Sequence, residues 1–132
     1  MRRMKRASPH GMSFALRTIS WLLAAAVTFA TLGPPGLRPH SDLGQDGEHA
    51  LAFALVGLAF GLAYSRWRWA IAAFSIPLIG LLELLQNLAP GRHARIEDFV
   101  VDALAATAGF AFAAASEWVV ARRRALAGDA AS

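Results

Sequence analysis

Apolar residues in this chain are gathered into four blocks, separated by short stretches that are charged or rich in Gly and Pro. The first block runs from about Ile19 to Leu32, and reaches back to Phe14 if Arg17 snorkels its guanidinium to a membrane surface. It stops at Gly33-Pro34-Pro35-Gly36, a strong helix terminator. The second covers Ala50 to Tyr64, the third Trp69 to Ala89, and the fourth Phe99 to about Val120. None carries the polar stripe that a helix in a soluble bundle needs. Crossing a bilayer takes about 20 apolar residues. The second block is short for that, so its helix is expected to begin before His49 or to continue toward Trp67. Pro77 lies inside the third, which membrane helices tolerate better than soluble ones.

The pattern predicts an all-α integral membrane bundle of four transmembrane helices, at about residues 14–32, 49–65, 69–89 and 98–120. A basic N-terminal segment, residues 1–18, precedes the transmembrane domain of residues 19–120, and a basic tail, residues 121–132, follows it. Composition agrees with a lipid solvent. The chain is 56% hydrophobic and 17% charged, against roughly 45–50% and about 25% in soluble domains. It has no cysteine, so neither a disulfide framework nor a thiolate metal site is available.

The net charge of +4 would suggest nucleic acid in a soluble protein. Here the basic residues sit at the ends of apolar blocks, where they set orientation, and no nucleic-acid partner is expected. Arg2, Arg3, Lys5, Arg6, Arg17, Arg66, Arg68, Arg122, Arg123 and Arg124 fall on one side, and only Arg38, Arg92 and Arg95 on the other. The excess places both termini in the cytoplasm, which an even number of spans requires. A basic start and an apolar run also fit a cleaved signal peptide, but its removal leaves the orientation of the rest unchanged. Gly57 and Gly61, and Ala105, Gly109 and Ala113, are small residues spaced for close helix packing, within the chain more readily than between copies. Trp67, Trp69 and Trp118 read as anchors at the interface.

The informative residues are the ionisable ones at the edges of the blocks. Glu48 and His49 open the second helix. Glu83 and Gln86 share one face late in the third, Arg92 lies in the following loop, and Asp98 and Asp102 share one face at the start of the fourth. All seven are expected on the outer side of the membrane. Glu83 sits about 9 Å inside the third helix at 1.5 Å per residue. An ionised carboxylate there costs at least ~2.5 kcal/mol unless it pairs, finds water or binds a proton. His49 and Arg92 are its candidate cations, and Gln86 a hydrogen-bond donor. Each residue also has a plainer role. Asp98 can cap the fourth helix, with Glu97 and Asp102 favourable near its positive end. His49 can be an interfacial histidine and Glu83 a member of a salt bridge. Arg95 and His93 read as solvated loop residues, and Glu117 as a surface partner of Arg122. The spacing of His49, Glu83 and Asp98 or Asp102 matches no defined ligand motif, and neither a metal nor a cofactor is expected.

These residues resemble the VanZ-like family of small bacterial membrane proteins. The matching pieces are Glu48-His49-Ala50-Leu51-Ala52-Phe53, Glu83-Leu84-Leu85-Gln86, Pro90-Gly91-Arg92 and Asp98, in the family's order and over roughly residues 40 to 115. Two departures stand out. Asp102 occupies a position where the family usually has Asn, and Asp46-Gly47-Glu48 replaces an Asp-Lys pair ahead of the His. The resemblance implies a multi-pass protein of the bacterial inner (cytoplasmic) membrane in a cell-envelope setting. The family is named for a protein linked to low-level resistance to teicoplanin.

Three functions follow as expectations. In the first, the cluster binds or modifies an envelope component, lipid-linked or related to peptidoglycan, at the outer leaflet. Glu83, Asp98 and His49 would carry the chemistry, and Arg92, Gln86, Asp102 and Glu48 would hold the ligand, with Arg92 on an anionic group. In the second, the same residues lock the bundle of a non-catalytic scaffold or interaction protein. The third, a small proton-coupled transporter, is weaker because no acidic relay crosses the membrane. No hydrolase motif names a reaction class, so whether the chain is an enzyme stays open, as does its oligomeric state.

Overall fold

The computed structural model describes residues 9–33, 44–88 and 95–129, except for the side chains of residues 9–12, 45 and 46. The described residues are 95% helical and contain no strand. Helix α1 is Pro9–Leu32, α2 is Gly44–Ala63, α3 is Arg68–Gln86 and α4 is Ile96–Asp129, with a 3-10 turn at Ser65–Trp67 between α2 and α3.

Among the described residues, three helical stretches are long and apolar enough to cross a membrane: Ser13–Leu32, Ser65–Gln86 and Ile96–Asp129. Only 17%, 22% and 28% of their most apolar windows are buried within the chain. Leucine, phenylalanine and tryptophan side chains therefore cover the outside, which in water would be an aggregation surface and in lipid is the expected one. In α2 the apolar stretch is the shorter Gly47–Ala63. The helix reaches its full 20 residues by starting at Gly44, before His49, where a φ of 72° takes a conformation that glycine adopts freely.

The helix ends differ from the hydropathy boundaries in informative ways. Helix α3 closes at Gln86 rather than residue 89, because the Asn87 and Leu88 N–H groups turn back to the Leu84 and Leu85 carbonyls in a tightened last turn. Helix α4 runs to Asp129, nine residues beyond Val120, so residues 121–129 continue the helix. Ala121, Arg122–Arg124, Ala125 and Leu126 are good helix formers, and no breaker precedes Gly128. At 34 residues, α4 is about 51 Å long. A hydrocarbon core is about 30 Å thick, so α4 is longer than one crossing requires.

Helix α2 is central, packing against α1 on one side and most extensively against α4 on the other, while α3 packs chiefly on α4. The α2–α4 crossing brings backbone against backbone. A Cβ added to Gly57 would lie 2.1 Å from the Ala106 carbonyl oxygen, and one added to Gly109 would lie 2.1 Å from that of Ala54. Gly61 faces Ala113 in the same seam. The small residues thus serve packing within the chain, with Ala106 rather than Ala105 at the closest approach. Phe53, Ile79 and Ala106 form one buried cluster, and Phe60, Ala72 and Phe110 a second nearer the other end. Two hydroxyls of α1 bond within their own helix: Ser20 donates to the Leu16 carbonyl and Thr28 to that of Ala24.

Candidate functional site

The antiparallel order of the helices brings the start of α2, the end of α3 and the start of α4 to one end of the bundle. A cavity of about 190 Å³ opens there, lined by His49, Glu83, Gln86, Arg95, Glu97, Asp98, Val101 and Asp102. Of the seven residues singled out above, His49, Glu83, Gln86, Asp98 and Asp102 line this single space. Glu48 is half-buried on α2 but does not line it, and Arg92 lies outside the described residues. Arg95, read from the sequence as a solvated loop residue, and Glu97, read as an acid at the positive end of the fourth helix, belong to the rim. Their side chains are 62% and 80% exposed and form an ion pair of 3.2 Å.

Burial is uneven across the cavity. Glu83 and Asp102 form its floor at 3% and 2% exposure, with Gln86 beside them. Gln86 Nε2 donates to Glu83 Oε1 at 2.9 Å, as the spacing of three residues on α3 allows. His49 and Asp98 are half-buried between floor and rim. Helix α4 begins at Ile96, so Asp98 stands inside its first turn with Glu97 rather than at the capping position, and both acids sit where the helix dipole favours negative charge. Phe99, one residue on, packs into the nearby apolar cluster and fixes how α4 presents Asp98 and Asp102.

The described lining is acidic in balance: four carboxylates against one guanidinium and one imidazole. A partner that donates hydrogen bonds or carries a cationic group suits the floor, and an anionic group would meet Arg95 at the rim. The volume sets a further limit. Water takes about 30 Å³ in the liquid, and drug-sized ligands fill about 300–1,000 Å³. The cavity therefore admits a few waters or one small functional group of a larger molecule, not a whole glycopeptide. Among the described residues, no three His, Asp or Glu side chains are arranged to hold a metal ion.

A second polar feature occupies the opposite end and was not anticipated. Arg68, at the first position of α3, is buried. Its Nε donates to the Gly61 carbonyl at 2.9 Å and its Nη2 pairs with Glu117 of α4. Gly61 lies in the last turn of α2, where carbonyls lack partners within their own helix, so one guanidinium joins three helices. Glu117 is thus Arg68's partner, not Arg122's. The Arg122 guanidinium lies over the Trp118 ring, 5.2 Å from its centre. The only sequence signal was a charge near each apolar boundary, which cannot assign partners 49 residues apart.

No protein-family model, curated protein or solved structure matches the chain.

Proposed function

We propose that the chain is a VanZ-like, four-span protein of the bacterial cytoplasmic membrane with both termini in the cytoplasm, and that its polar cavity engages an envelope component from the outer side. The observation that carries this reading is the convergence of His49, Glu83, Gln86, Asp98 and Asp102 from three helices on one cavity, with its floor carboxylates almost wholly buried. Buried ionisable groups in a membrane bundle are costly and mark functional positions by default. Helix α2 supports the fourth span: it is about 30 Å long and is packed between α1 and α4. Four crossings also match the arginine excess at both chain ends.

In this reading Glu83 and Asp102 accept hydrogen bonds from one group of the ligand, His49 and Asp98 orient it, and Gln86 holds Glu83 in position. The small volume points to an amine or hydroxyl of an amphiphilic envelope molecule whose bulk stays outside. A second reading has its own support. The Gln86–Glu83 hydrogen bond is what a structural network within a scaffold protein would contain.

The test is teicoplanin susceptibility of a glycopeptide-sensitive host expressing the wild-type chain or Glu83→Gln at matched membrane abundance. Protection that disappears with Glu83→Gln supports an active envelope site. Equal protection by both removes Glu83 from the function, and no protection from either well-inserted protein means that resistance does not transfer from the family and favours the structural network or another substrate. A loss of abundance or thermal stability in the variant favours the structural network.

A further inference from the structure

An apolar cavity of about 610 Å³ lies between α1, α2 and α3, with Ala106 and Phe110 of α4 also in its lining. Helix α1 leans on α2 and α3 on α4, while α3 makes little contact with either α1 or α2, which leaves a groove open to the membrane. Its lining runs from Trp21, Tyr64 and Trp67 at one end to Phe53 and Leu82 at the other. Trp67, at the end of the 3-10 turn that leads into α3, and Leu82 are fifteen residues apart, about 22 Å at 1.5 Å per residue. One leaflet contributes about 15 Å of hydrocarbon, so the groove is long enough to take an entire acyl chain of that leaflet.

The aromatic end has a charge signature. The Arg17 guanidinium lies over the Tyr64 ring, 5.1 Å from its centre, and that of Arg66 over Trp67 at 5.9 Å. Trp21 Nε1 donates to the Tyr64 hydroxyl at 3.1 Å, which closes the aromatic ring around the groove mouth. Arg17 and Arg66 are exposed and neither forms an ion pair with a described carboxylate. The acids whose side chains are described lie elsewhere: Glu48, Glu83, Glu97, Asp98 and Asp102 are at the opposite end, Glu117 is engaged by Arg68, and Asp129 ends α4.

From this pairing of an apolar groove with two arginines at its mouth, we propose that the groove is a binding site for one acyl chain of an anionic glycerophospholipid, with the phosphate held by Arg17 and Arg66. Two guanidiniums at a membrane surface select anionic over zwitterionic head groups. A choline head group would need the Tyr64 face that Arg17 already covers. The site is separate from the acidic cavity and stands or falls without it.

Trp21 and Trp67 line the groove, whereas Trp69 and Trp118 do not. The full chain carrying Trp69→Phe and Trp118→Phe, reconstituted in phosphatidylcholine vesicles, reports on the groove through the remaining tryptophan emission. The probe is a minor fraction of lipid brominated on one acyl chain, with either a phosphatidylglycerol or a phosphatidylcholine head group. Half-maximal quenching by the phosphatidylglycerol probe is expected at a mole fraction on the order of tenfold lower. The preference should vanish with Arg17→Gln/Arg66→Gln, persist with Arg17→Lys/Arg66→Lys, and fall when Ala70→Phe fills the mouth. Equal quenching by the two probes, or a preference that survives the double glutamine change in a chain of unchanged helix content, would overturn the proposal.

Discussion

Replacing Gly109 by alanine adds a single methyl group to α4, and the geometry of the α2–α4 seam says where it must go. The new Cβ would lie 2.1 Å from the Ala54 carbonyl oxygen and 2.7 Å from the Leu58 nitrogen. Ordinary contacts between such atoms begin near 3.4 Å, so the helices must separate by about 1 Å or slide. Both obstructing atoms belong to backbone, and no side chain can turn aside. Membrane helices gain little from a hydrophobic effect between them, so lost van der Waals contact along the seam is not offset. Overpacking of this kind costs about 1–3 kcal/mol, and the two backbone clashes place Gly109→Ala toward the upper end. The comparison is Gly80→Ala, whose Cβ would meet the Phe99 ring edge at 3.2 Å, a contact that ring rotation relieves. Thermal unfolding in detergent, followed by circular dichroism, should show a clear fall in midpoint for Gly109→Ala and a much smaller one for Gly80→Ala. Equal midpoints for Gly109→Ala and wild type would refute a backbone-on-backbone seam.

Other predictions concern the two polar ends. Arg68→Met removes the guanidinium shared by Gly61 and Glu117, and should cost about 2–3 kcal/mol because a helix-end carbonyl and a carboxylate lose their donor together. Glu117→Gln should cost less, about 1 kcal/mol, since its side chain is 43% exposed and water can replace it. Both are read as thermal midpoints in the same detergent, and reversal of the order would contradict the network. Gln86→Leu withdraws a buried donor from Glu83 and should cost about 1–3 kcal/mol, and an unchanged midpoint would show that their hydrogen bond carries no structural weight.

The parts of the fold legible in the sequence were those set by local spacing. Glu83 with Gln86, and Asp98 with Asp102, share helix faces because three or four residues make one turn, and the alternation of apolar blocks with turns brings His49 to the same end. The position of Glu83 inside a long apolar block signalled burial before any packing was known. What could not be read depends on direction and crossing angle. Arg68 looks like a topology marker from its position, yet it turns inward because the last carbonyls of α2 lack donors. The extension of α4 to Asp129 escaped hydropathy, which marks where lipid ends and not where helical hydrogen bonding ends. The apolar groove arises from the gap between α1 and α3, for which the sequence has no pattern.

The proposed function requires the acidic cavity to face outward while the arginine-rich end of α4 faces the cytoplasm. The chain contains no cysteine, so single cysteines placed at the two ends report sidedness without background. Glu97→Cys, exposed on the cavity rim, and Arg123→Cys, exposed near the end of α4, are treated in intact cells with a membrane-impermeant maleimide. Labelling is expected for Glu97→Cys in intact cells and for Arg123→Cys only after lysis. Labelling of Arg123→Cys from outside, with Glu97→Cys protected until lysis, would invert the protein in the membrane and contradict an envelope-facing site.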